Sequence, residues 1–134
     1  MAELKLKKIN KPKKGNVQKD IDWFCDSLCL SSGRDTEFTS TKIISDILSK
    51  ISEHEKVFSE GIAEDLDLKQ GLVNHHLRNL IDSGIVIREK KQIFIRGGSL
   101  KEAIIEMRRE ALSMFDNIEK IAEEIDNEIG IHNR

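Results

Sequence analysis

The sequence has no tyrosine, one proline and one tryptophan among 134 residues. Aromatic residues favour strands and proline breaks helices, so this scarcity points to a soluble, helix-rich chain. Two cysteines are too few for a disulfide framework, and the helical spacing of Cys25 and Cys29 fits reduced thiols in a cytoplasm. No apolar run approaches the roughly 20 residues that span a bilayer, so no membrane partner is expected. The N-terminus, MAELKLKKINKPKKGN, is basic but lacks the apolar core of a signal peptide. There is also no glycine-rich phosphate loop, no nucleophile elbow and no pair of carboxylates in an evident cleft. An enzyme, a bound cofactor and a resident metal are therefore not expected. No internal repeat is present.

What is present is enough apolar material, 38% of residues, for one compact domain with a modest core. The net charge of −2 conceals a segregation. Residues 1–19 carry seven lysines against one glutamate, and residues 20–68 carry four basic against twelve acidic groups. Residues 69–96 return to six basic and two acidic, and the remainder of the chain is acidic again. Local basic patches are the usual electrostatic footprint of a phosphate-binding surface, whatever the total charge.

Hydrophobic periodicity then divides the chain. Residues 1–16 read as a flexible basic tail, broken by Pro12 and Gly15. Val17, Ile21, Phe24 and Leu28 predict a first helix over 17–30, followed by a loop in SSGRDTEF. Ile43, Ile44, Ile47, Leu48 and Ile51 predict a second helix. After a short extended piece, Ser59 reads as the N-cap of a brief third helix bearing Ile62, Ala63 and Leu66. Asp67 followed by Gln70 resembles a capping box for a helix over 69–83, ended by Gly84. IVIREKKQIFIRGG alternates apolar and polar on both sides of Lys90-Lys91, the pattern of a two-stranded hairpin. Ser99 opens SLKE, a capping box for a final helix. The expected fold is mainly α with a small β-hairpin wing: a winged helix-turn-helix over 17–98, a long amphipathic dimerisation helix over 99–129, and a short tail over 130–134.

The helix over 69–83 carries adjacent histidines, His75 and His76. Neighbours on a helix diverge by about 100°, so they cannot chelate one ion together. His76 borders the apolar stripe of Val73, Leu77, Leu80 and Ile81, which predicts a partly buried, hydrogen-bonded core residue. His75 lies on the polar side, either solvated or in contact with a phosphate or base. Gln70, Asn74 and Arg78 repeat at i, i+4 and i+8 along that side. Arginine pairs with guanine and asparagine or glutamine with adenine, so this face has the chemistry of major-groove readout. Arg88, Lys90, Lys91 and Arg96 place positive charge on and around the hairpin, where it would meet backbone phosphates. Together with Lys69, the candidate DNA-binding residues are Gln70, Asn74, His75, Arg78, Arg88, Lys90 and Lys91.

The stretch LKQGLVNHHLRNLIDSGIV resembles the recognition-helix signature of ArsR-type winged helix-turn-helix regulators, in an archaeal-like form. Gln70, Val73, His75, His76, Leu77, Leu80, Gly84 and Val86 match that pattern. The specific signal covers about 20 residues, and the winged-helix layout extends it to 40–97. The resemblance implies double-stranded DNA as a partner and a homodimer. The chain departs from metal-sensing members in lacking their cysteine-containing ELCVCDL-like stretch, which leaves no assigned metal ligand and the effector unknown.

In the final helix, Leu100, Ile104, Met107, Ala111, Met114, Ile118, Ile121 and Ile125 alternate at spacings of 4 and 3, a heptad seam. Phe115, Ala122 and Ile129 widen it. A helix of this length extends about 46 Å, more than a small domain needs, so its second half should pack on a symmetric partner. The other arrangement is packing against the first helix. The leading expectation is a sequence-specific, homodimeric DNA-binding transcriptional regulator in the cytoplasm. Two alternatives are a winged-helix module for protein contacts within a larger complex, and a metal- or redox-responsive repressor in which Cys25 and Cys29 join His54 or acidic residues.

Overall fold

Each helix presents one apolar stripe, and the fold is the arrangement that brings these stripes together. The structure is a computed structural model describing residues 4–11, 16–30 and 38–131. Pro12 and Gly15, residues 31–37 of the expected loop, and residues 132–134 of the expected tail lie outside the described residues.

Helix α1 (Val17–Ser27) starts at Asn16, whose side chain accepts the Lys19 N–H at 2.9 Å. It ends three residues before the apolar pattern does. The N–H groups of Cys29 and Leu30 fold back onto the carbonyls of Asp26 and Cys25, and Cys29 takes a left-handed φ of 55°. Leu28 and Leu30 still reach the core from beyond the helix, which is why periodicity overruns the backbone. Residues 4–11 run along α1: Lys7 N–H donates to the Ser27 carbonyl, and Trp23 Nε1 donates to the Ile9 carbonyl.

Helix α2 (Thr39–Ser52) buries Ile43, Ile44 and Ile47. A two-residue strand, β1 (Val57–Phe58), leads into α3 (Ser59–Leu66) and then α4 (Gln70–Ser83). Two expected caps are corrected here. Ser59 makes no capping bond and is the buried first residue of α3, with Phe58 at the cap position. Asp67 closes α3 instead of opening α4: it is left-handed (φ 52°), and the following Leu68 N–H bonds the Ala63 carbonyl at 2.9 Å. Lys69 holds the cap position of α4 without a side-chain bond. Across this helix-turn-helix, Lys50 on α2 pairs with Asp46 at 3.3 Å and with Asp65 on α3 at 2.8 Å. The hydrogen bond from Lys50 holds the Asp65 carboxyl below its usual range, while burial pushes Asp46 above it.

Gly84 ends α4 with φ 97°, as its position in the sequence predicts. Strands β2 (Val86–Glu89) and β3 (Gln92–Ile95) form the wing hairpin, with Val86 opposite Ile95 and Glu89 opposite Gln92. The sheet gains a third strand because β1 pairs with β3 through Val57 and Ile93, giving the order β1-β3-β2. Val57, Val86, Ile93 and Ile95 face inward and meet Ile62, Val73, Leu77 and Leu80 from the helices. A short 3-10 turn (Arg96–Gly98) delivers the chain to α5 (Leu100–Ile129), where Ser99 caps the first turn by accepting the Glu102 N–H at 3.1 Å.

The face of α5 that enters the core emerges into solvent halfway along. Ala103 and Met107 are buried, with Leu100 and Ile104 packed beside them. From Leu112 onward the same helix exposes Met114, Phe115, Ile118, Ile121, Ile125 and Ile129, each between 51% and 66% accessible. The second half of α5 therefore does not lie on α1. Among the described residues, no helix is long and apolar enough to cross a membrane.

Candidate nucleic-acid interface

The core of α4 fixes what its outer side can offer. Val73, His76, Leu77 and Leu80 point inward, so at 100° per residue the opposite face consists of Gly71, His75, Arg78 and Asp82. His75 and Arg78 are exposed there. Gly71 has nothing within 4 Å of where a Cβ would sit, so the backbone of the first turn can be approached closely. Asp82, on the same face, is the one group there unsuited to a phosphate.

His76 is the buried histidine of the pair, at 9% exposure, with Nδ1 3.0 Å from Ser40 Oγ on α2. The two imidazoles meet edge to face, with centroids 5.4 Å apart and planes at 75°. The pair thus divides in position: His76 joins α4 to α2, and His75 faces solvent.

Gln70 and Asn74 sit differently from Arg78. Both are half-buried on the flank of α4 that turns toward α3 and the sheet. Gln70 Nε2 donates to Ser59 Oγ at 2.7 Å and to Asn74 Oδ1 at 3.5 Å. Arg88 on β2 also donates to Ser59 Oγ, at 3.2 Å. Ser59 is 1% exposed, so its hydroxyl is an internal acceptor shared by α4 and the wing. Its position before a helix signals a cap, and nothing in the local sequence reveals partners 11 and 29 residues away.

Lys90 and Lys91 form the hairpin tip, both exposed and both with positive φ, 47° and 71°. This is a two-residue turn of the type whose twist suits a hairpin. Lys69 is exposed at the start of α4. Arg96 departs from the expected set of wing cations. Its Nε donates to Glu106 at 2.8 Å and its Nη2 to Glu110, so two carboxylates of α5 take up its charge. These partners hold the guanidinium pKa above its ordinary value, the Glu110 hydrogen bond foremost. Arg96 ties the base of the wing to α5 rather than facing a phosphate.

The cysteine pair of the metal- or redox-responsive alternative occupies two different environments. Cys25 is fully buried and burial pushes its thiol up to about 11, whereas Cys29 is exposed beyond the helix end. No group of three or more His, Cys, Asp or Glu suited to a metal ion occurs among the described residues.

Residues 43–88 match the family model described as bacterial regulatory protein, arsR family. The matched segment runs from within α2 through the helix-turn-helix to Arg88 on β2, and leaves α1 and α5 outside. No curated protein and no solved structure matches the chain.

Proposed function

From the ArsR-type helix-turn-helix domain of a DNA-binding transcription regulator that this chain carries, we propose a sequence-specific regulator that binds double-stranded DNA as a homodimer. The observation that carries the reading is the outward face of α4, with His75 and Arg78, flanked by Lys69 on one side and a Lys90-Lys91 wing tip on the other. In this arrangement α4 enters the major groove and Arg78 reads a base edge. The wing lysines meet the adjoining phosphates and supply affinity that falls with salt. The second half of α5 pairs with its counterpart through Met114, Ile118, Ile121 and Ile125. Leu100, Ile104 and Met107, earlier in the same heptad seam, anchor the helix to its own domain. Pairing two domains along α5 sets the distance between half-sites.

Selection of binding sites from random duplexes by the purified full chain, repeated at two salt concentrations, tests the proposal. A palindromic motif whose affinity falls steeply with salt is the expected result. Binding without any enriched sequence would refute the specificity.

One feature favours a second reading, that of a module for protein contacts. Phe58, Ile87 and Phe94 are exposed together on the outer face of the sheet, with Ile87 directly opposite Phe94. Under that reading the purified chain selects no duplex at all.

A further inference from the structure

The hydrogen bonds around Ser59 bear on which base the domain reads, and the inference rests on α4 being the reader. Free asparagine recognises adenine by donating to N7 and accepting from N6 at once. Asn74 is not free in this way. Its Oδ1 accepts from Gln70 Nε2 at 3.5 Å, and Gln70 is held by Ser59 Oγ at 2.7 Å. Ser59 is in turn fixed from the wing by Arg88, a group that can only donate. The chain Arg88–Ser59–Gln70–Asn74 therefore turns the acceptor of Asn74 inward and leaves its amide N–H groups for the groove. Lys69 and Arg78 near it are donors too, and the acceptor on this face, Asp82, lies at the other end of the helix. Guanine offers two acceptors in the major groove, O6 and N7, whereas adenine pairs its N7 with an N6 donor that Asn74, its oxygen turned toward Gln70, does not meet with an acceptor.

We infer that Ser59 and Gln70 are positioning residues that orient Asn74 as a donor, and that this gives a preference for guanine over adenine at the base pair Asn74 meets. Gln70, which its sequence position marks as a base reader, acts through Asn74 instead.

Fluorescence-anisotropy titrations of the full chain on the selected duplex and its single-base variants test this. The Asn74 position is the one whose preference flattens in Asn74→Ala. At that position wild type should favour guanine by about tenfold, the size of one net hydrogen bond. Gln70→Met keeps the side-chain volume but removes the donor, and should shift the preference toward adenine there and nowhere else. Ser59→Ala should bring the guanine-to-adenine ratio close to one, and Ser59→Thr, which restores the hydroxyl, should recover it. Thermal melts confirm that each variant is folded, and Gln70→Met, at a half-exposed position, carries the test if Ser59→Ala does not fold. An unchanged preference in folded Gln70→Met overturns the inference. So does an effect of Arg78→Ala with none of Asn74→Ala, which leaves α4 as the reader. If neither Arg78→Ala nor Asn74→Ala alters affinity or preference, the reading of α4 itself fails, and the inference with it.

Discussion

Replacing Ile118 by aspartate is the sharpest test of the proposed dimer. Ile118 is 59% exposed and lies beyond the part of α5 that enters the core, so the substitution leaves the domain's own packing intact. Full burial of an isoleucine contributes about 1.5–3 kcal/mol, and the roughly half still exposed here corresponds to about 0.8–1.5 kcal/mol gained on pairing. A two-fold interface carries every substitution twice, so Ile118→Asp removes about 1.5–3 kcal/mol of burial. It also places two carboxylates in an apolar seam, each costing several kcal/mol unless it is paired. Together these exceed about 5 kcal/mol, which raises the dissociation constant by more than roughly a thousandfold. Sedimentation velocity at tens of micromolar should show a dimer for wild type and a monomer for Ile118→Asp, with unchanged circular dichroism. Affinity for a two-half-site duplex should fall in parallel. A monomeric wild type at that concentration, or a variant that remains dimeric, refutes the pairing of α5.

The remaining expectations concern the interface and the core. Arg78→Ala should cost about 1–3 kcal/mol at a selected site and relax preference at one base position; anisotropy on single-base variants reads both, and unchanged preference removes Arg78 as a reader. Lys90→Ala with Lys91→Ala should weaken binding to all sequences alike and lower the salt slope by roughly 0.9 per lost phosphate contact; a loss of specificity at constant slope would make the hairpin a base reader instead. Cys25 has a folded pKa of about 11 against an ordinary 9.0, so its buried neutral thiol supports folding fully below pH 9 and loses that support as pH rises toward about 11. The stability advantage of wild type over Cys25→Ala, measured by urea titration, should narrow across that window, and a constant gap would show that the thiol stays solvated.

The parts of the fold that sequence reveals are those set by periodic burial. Ile43, Ile44 and Ile47 mark α2, Val73, Leu77 and Leu80 mark α4, and alternation around Lys90-Lys91 marks the wing, because each is a local pattern satisfied by local geometry. What sequence misreads are residues whose partners are distant. Ser59 stands where a cap belongs, yet it is spent on Gln70 and Arg88; Asp67 is the local exception, an acidic residue that suits the start of α4 but closes α3. Arg96 looks like another wing cation until α5 brings Glu106 and Glu110 to it. The short extended piece expected before Ser59 is strand β1, but its pairing with β3 joins residues as far apart as Val57 and Ile93, and no local pattern reveals it. In the site, Arg78 and His75 are legible from the face they share, whereas the inward turn of Gln70 depends on a contact with another helix.

The left-handed turn at Lys90-Lys91 has a thermodynamic consequence. Residues other than glycine, asparagine or aspartate in this conformation cost about 1–2 kcal/mol each, and an Asn-Gly pair would form the same turn with little strain. The tip thus keeps two adjacent like charges in an unfavourable backbone conformation. An anion that met both ammonium groups would relieve the repulsion, so its binding and the formation of the turn would be linked equilibria. The hairpin should protect its amides from hydrogen exchange more strongly with a polyanion than without one. Strain borne by the turn once it has formed cancels from the affinity, and only the cost of forming it where it is open is subtracted, which makes wing rigidity and ligand strength a single adjustable quantity.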